Sequence, residues 1–162
     1  MATIQRITPF LWFDSQAEEA ATFYAGIFPD SRVGQVTRYS EAGKEVHGRP
    51  AGMAMVVEFS LCGQGFRALN GGPGFRFTEA VSFQVACDTQ DEIDTYWERL
   101  TAGGDPAAQQ CGWLKDRFGL SWQVVPSMMG HLMSDPEPGK SERVMQALLR
   151  MKKLDIDALR NA

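Results

Sequence analysis

EAVSFQVACDTQDEIDTYWERLT, residues 79–101, decides the fold. Its first part alternates: Val81, Phe83, Val85 and Cys87 fall on one side, Ser82, Gln84 and Ala86 on the other. A period of two is a strand with one oily and one mildly polar face. At Asp88 or Thr89 the pattern changes. Both residue types accept from the free amides at a helix start, so a helix is predicted over 90–101, ended by Gly103-Gly104.

The same order occurs earlier in the chain. Residues 7–13, ITPFLWF, are apolar and β-prone, and Pro9 puts this strand at an edge or gives it an irregular start. Asp14 or Ser15 then caps a helix with Glu18 and Glu19 in its first turns. Ala17, Ala20, Ala21, Tyr24 and Ile27 or Phe28 form its stripe, and Pro29-Asp30 stops it. Asp14-Ser15-Gln16-Ala17-Glu18 thus lines up with Asp88-Thr89-Gln90-Asp91-Glu92. Later, Gly65-Phe66-Arg67-Ala68-Leu69 lines up with Gly119-Leu120-Ser121-Trp122-Gln123. A strand, a helix and a set of strands occur twice.

Further strands are predicted at 32–40, 53–61, 66–70, 109–115 and 119–125. Residues 41–52, with three glycines and Pro50, read as a mobile loop. Beyond Pro126 come a short apolar segment (127–133), a linker (135–139), a helix capped by Ser141 and a last short helix opened by Asp155.

The bulk numbers fit this scheme. A chain of 162 residues that is 44% hydrophobic can bury a core without staples. The net charge of −4 and the absence of a basic stripe argue against a nucleic-acid partner. No apolar run reaches membrane length, and no signal-peptide pattern develops before Asp14, so a cytoplasmic protein with no membrane partner is expected. Cys62, Cys87 and Cys111 are odd in number, widely spaced and outside any Cys-x-x-Cys pair. They read as reduced thiols, not a zinc knuckle.

The run Ile7 to Asp14, the helix AEEAATFYAGIFPDS, the block CGWLKDRFGLSWQVVP (111–126) and the segment RVMQALLRMKKLDIDAL (143–159) together resemble the PhnB-like group. That group bears the name 3-demethylubiquinone-9 3-methyltransferase and lies in the vicinal oxygen chelate superfamily, with glyoxalase I, bleomycin-resistance proteins and extradiol dioxygenases. The resemblance implies an α+β fold of two βαβββ modules, 1–75 and 76–126, forming one domain (1–126) with a curved mixed sheet around a cleft. Residues 127–162 would be a helical extension, and a homodimer is expected.

In metal-dependent relatives four His or Glu side chains meet in the cleft. Carried over, those positions fall on Ile7 or Thr8, Leu69 or Asn70, Ala80 or Val81, and Gln123. None is His, Asp or Glu, so no metal is expected. His47 in the loop and His131 in the tail do not replace them. A nucleotide-type cofactor would need a Gly-rich turn leading into a helix. Asn70-Gly71-Gly72-Pro73-Gly74 leads instead into Phe75-Arg76-Phe77, so no cofactor is expected.

Alternation nominates Phe10, Trp12, Glu58, Ser82, Gln84, Ser121 and Gln123 as cleft-lining ligand contacts, aromatic walls with a few polar anchors. Glu58 is the one candidate acid or base, with no evident His or Lys partner in sequence. Three functions follow: a metal-independent binder of a small, partly aromatic or amphipathic molecule; an enzyme using Glu58, with quinone-related or methyl-transfer chemistry; and an interaction module whose cleft is filled by its own side chains.

Overall fold

The computed structural model describes residues 4–162, and the chain divides between Arg76 and Phe77 into two units. Each combines a small mixed sheet with helices, as the α+β reading expected.

The first unit runs β1 (Phe10–Phe13), α1 (Ala17–Ala25), β2 (Arg32–Arg38), α2 (Lys44–His47), β3 (Ala54–Leu61) and β4 (Gln64–Asn70). Its sheet has the order β1-β4-β3-β2, with β1 parallel to β4 and the other pairs antiparallel. This is the predicted strand, helix and three strands. Pro9 acts as expected: β1 is an edge strand that starts after it, while the Pro9 carbonyl accepts from the Arg67 amide at 3.0 Å. The predicted loop 41–52 contains one short helical turn, α2, held between Gly43 and Gly48, both left-handed.

The helix stripe is as read: Ala17, Ala20, Ala21 and Tyr24 are fully buried. Small side chains at three of these positions let α1 lie close on β3 and β4. Tyr24 stacks on Phe59 at 6.2 Å, and Phe59 on Phe66 at 5.3 Å. The helix start differs from expectation. Neither Asp14 nor Ser15 caps it; Gln16 holds the cap position without a side-chain bond. Instead the Ala17 amide donates to Asn70 Oδ1 at 2.8 Å, and Asn70 Nδ2 donates to the Ala54 carbonyl at 3.0 Å. A buried carboxamide from β4 does the work of a local cap.

The second unit runs β5 (Ser82–Cys87), α3 (Gln90–Thr101), β6 (Trp113–Lys115), β7 (Ser121–Pro126), α4 (Met129–Met133), α5 (Lys140–Leu148) and α6 (Ile156–Arg160). The sheet order is β5-β7-β6. Here the repeat is abbreviated. The strand that would correspond to β2 is replaced by a 3-10 turn, Pro106–Ala108, and the predicted strand 109–115 shortens to β6 plus one bridge at Gln110. Pro106 has no amide to give a ladder, and Asp105 caps the turn through the Ala107 amide at 2.9 Å. The amides of Cys111 and Gly112 are taken by the carbonyls of Met151 and Lys152, both at 2.8 Å.

Of the two predicted caps for α3, Thr89 serves. Its hydroxyl accepts from the Glu92 amide, and Glu92 accepts from the Thr89 amide, a capping box. Ile93, Trp97 and Leu100 are buried beneath the sheet with Leu114, Trp122 and Val124. Asp116, in the β6–β7 turn, is 2% exposed and accepts from the Phe118 amide (2.8 Å), the Leu120 amide (3.1 Å) and the Trp122 indole (2.9 Å).

The C-terminal helices pack on this unit. Val125, Val144, Leu154 and Leu159 form one buried cluster with Met129, Leu132 and Leu148 against it. Gln90 of α3 clamps the segment, donating to the Leu154 carbonyl (3.0 Å) and accepting from the Ile156 amide (2.9 Å). Lys153, 2.6 Å from Asp94, holds that carboxyl below the usual carboxylate range, aided by Gln90. Asp155 opens α6 as read, whereas α5 starts after Gly139 and not at a Ser141 cap. No helix among the described residues is long and apolar enough to cross a membrane.

The thiols differ sharply in setting. Cys62 is exposed, while Cys87 is buried, and burial first, then Glu92 and Asp88, pushes its thiol up to about 12. Partial burial and the Asp30 carboxylate also raise the Cys62 thiol, but its exposure leaves it within reach, so Cys62 should label in the folded protein and Cys87 only after unfolding. Alkylation followed by peptide mass mapping checks this; equal labelling of both would contradict the packing of β5.

Candidate functional site

In each unit one sheet face is covered by its long helix, and the strand period puts the candidate residues on the other. In the first unit, register aligns Phe10 with Arg67 and Arg67 with Glu58 in one row. Trp12, Leu69 and Val56 form the next. Phe10 is 52% exposed. Glu58 is not the solitary carboxylate expected: it pairs with Arg67 at 2.9 Å, and both side chains are about half exposed. Nothing isolates it as an acid or base.

Trp12 turns toward its own chain. Its indole N–H donates to the Gly72 carbonyl at 2.8 Å, and its ring meets Phe75 edge-on at 4.9 Å. The glycines beside it make room for this. A β-carbon on Gly71 would lie 2.3 Å from the indole, and one on Gly72, which has φ +99°, 2.3 Å from the Arg49 guanidinium. Arg49 in turn pairs with Asp14 at 3.2 Å. The glycine turn is packed by Trp12 and Arg49, so a nucleotide-type cofactor does not fit it.

In the second unit the parallel β5–β7 register sets Ser82 beside Ser121 and Gln84 beside Gln123; β6 adds Lys115 beside Ser121 and Trp113 beside Gln123. The four predicted polar residues therefore share one patch, opposite α3. Gln123 donates to the Ser82 hydroxyl at 2.9 Å. Gln84 is exposed. Lys115 pairs with Glu79 at 2.5 Å, and that hydrogen bond holds the Glu79 carboxyl below its ordinary range. Ser121 is 1% exposed, and its hydroxyl has no hydrogen-bond partner. Sequence reasoning did not nominate Lys115 and Arg67 as members of these rows.

The positions where metal-dependent relatives carry ligands do not fit a metal. Ile7 and Val81 are exposed aliphatics. Asn70 has both ends of its amide committed to backbone, and the Gln123 amide is engaged by Ser82. Among the described residues no three His, Cys, Asp or Glu side chains gather as a metal would require. His47 accepts from the Arg49 amide at 3.0 Å and packs on Tyr39 at 4.6 Å, while His131 lies in α4.

These two α+β units, each with a polar and aromatic face opposite its helix, define a protein of the vicinal oxygen chelate superfamily. FosX from Mesorhizobium loti has the same fold at 14% identity (TM-score 0.53, 82% of this chain and 99% of that one). The PhnB protein from Bacillus cereus is 36% identical over 75% of this chain and 99% of its own, with a TM-score of 0.64. Protein PA1353 from Pseudomonas aeruginosa shares the fold at 20% identity (TM-score 0.57, 76% and 98%). Residues 5–125 match the family model described as 3-demethylubiquinone-9 3-methyltransferase, and the chain belongs to that PhnB-like family. No curated protein matches it.

Proposed function

We propose that the chain is a small-molecule-binding protein that works without a metal ion, as a cytoplasmic homodimer, and holds an amphipathic, partly aromatic ligand on the face of its second unit opposite α3. One observation carries the reading: the buried, unpartnered hydroxyl of Ser121 beside the Ser82–Gln123 pair. A buried hydroxyl left unsatisfied costs about 1–3 kcal/mol, and a carbonyl or hydroxyl of a ligand would recover it. Trp113, beside Gln123 in the same patch, offers a ring on which a planar group can stack. The family's methyltransferase name is the rival reading. It is disfavoured by the glycine turn that Trp12 fills and by the ion-paired state of Glu58.

The test is a thermal-shift screen with quinones, aromatic antibiotics and S-adenosylmethionine. A binder at a hundred times its Kd should stabilise the protein by about 2.7 kcal/mol, or roughly 5–10 °C in Tm. Gln123→Ala and Ser121→Ala should each weaken that binding by about tenfold. A shift with S-adenosylmethionine alone would favour the enzyme. No shift with any compound, or stoichiometric transition metal in the purified protein, would overturn the proposal.

A further inference from the structure

We infer that the first unit carries a second small-molecule site, where the α1–β2 connection meets the β3–β4 turn, and that it takes a zwitterion bearing an amine and an acidic group. A hollow of about 420 Å³ lies there, lined by Asp30, Ser31, Arg32, Ser60 and Gly63. A smaller one of about 140 Å³ shares Arg32 and Ser60 with it. The volume suits a small ligand, and few but convergent polar groups are what such sites use.

Three of the lining groups are uncommitted. Among the described residues, the Asp30 carboxylate and the Arg32 guanidinium form no ion pair, either with each other or with another side chain, and the Ser60 hydroxyl makes no hydrogen bond. Register places Arg32 directly across from Ser60. One anionic and one cationic group, two residues apart and facing one hollow unpaired, complement a ligand of the opposite arrangement: its amine on Asp30, its acid on Arg32 and Ser60. A simple anion would meet the Asp30 charge, and a simple cation that of Arg32.

The walls are fixed in place. The Gly63 amide donates to the Asp30 carbonyl at 3.1 Å, and the Cys62 amide to the Ser31 hydroxyl at 3.0 Å, which itself donates to the Pro29 carbonyl at 2.9 Å. These bonds lie outside the three free groups, so binding would not break them. Of the three non-glycine residues with positive φ among the described residues, Asp30 (47°) and Cys62 (49°) both border this place. Backbone held in a sparsely populated region is concentrated at functional sites.

The experiment is an NMR titration of the full chain, following backbone amides with glycine, 3-aminopropanoate and 4-aminobutanoate, and with acetate and methylammonium as single-charge controls. At least one amino acid should shift the amides of residues 30–32 and 60–63 saturably, with a Kd of about 1 mM and at least about tenfold below either control. Asp30→Asn and Arg32→Gln should each abolish that advantage; asparagine accepts the left-handed backbone, so the first variant keeps the turn. No saturable shift with any amino acid overturns the site. Acetate binding as tightly as the amino acids, unchanged in Asp30→Asn, overturns the zwitterion in favour of a plain anion.

Discussion

Replacing Asp116 by alanine should destabilise the protein by about 3–5 kcal/mol in urea unfolding, the range for removing a buried charged hydrogen-bond hub. The carboxylate gathers two backbone amides and the Trp122 indole in a turn shielded from water. Without it three buried or half-buried donors lose their acceptor, and Trp122 loses the contact that fixes its ring under β7. Asp116→Asn keeps one oxygen and should cost roughly 1–2 kcal/mol. A loss below about 1 kcal/mol for the alanine variant would mean that water replaces the carboxylate and that the turn is held by packing alone.

Gly71→Ala should cost about 2–4 kcal/mol, because its new methyl group overlaps the Trp12 indole and the ring must move. Displacing the ring breaks its bond to the Gly72 carbonyl and its edge contact with Phe75. A double-mutant cycle identifies the cause. In a Trp12→Ala background the same substitution should cost less than about 0.5 kcal/mol, a strong coupling between the two positions. Additive losses would show that the glycine serves something other than Trp12, and a cofactor approach would return to consideration.

Much of the fold was legible where the signal is local. The stripe of α1, the capping box of α3 and the alternation in β5 rest on neighbouring residues. The four polar residues of the second unit fell on one face for the same reason, since a strand's period is two. What was hidden depends on distant residues. No local pattern shows that Asn70, fifty-three positions away, replaces the cap of α1. The shortening of the predicted strand 109–115 was equally hidden, because Met151 and Lys152 supply the partners of residues 111 and 112. The Glu58–Arg67 pair lies between these cases. With Cys62-Gly63 as a two-residue turn, residues four before and four after it must face each other, so counting along the hairpin would have found it.

The attachment of residues 151–159 to the second unit also bears on how the protein is made. Translation delivers β5, α3, β6 and β7 well before Leu154, Ile156 and Leu159, which complete their apolar surroundings. Until those residues leave the ribosome, the nascent unit exposes oily surface around Val125 and unanswered amides at Cys111 and Gly112. The strands and α1 of the first unit are all delivered by Asn70. Synthesis therefore passes through an interval in which the second unit stays vulnerable to aggregation, ended when residues 151–159 are delivered.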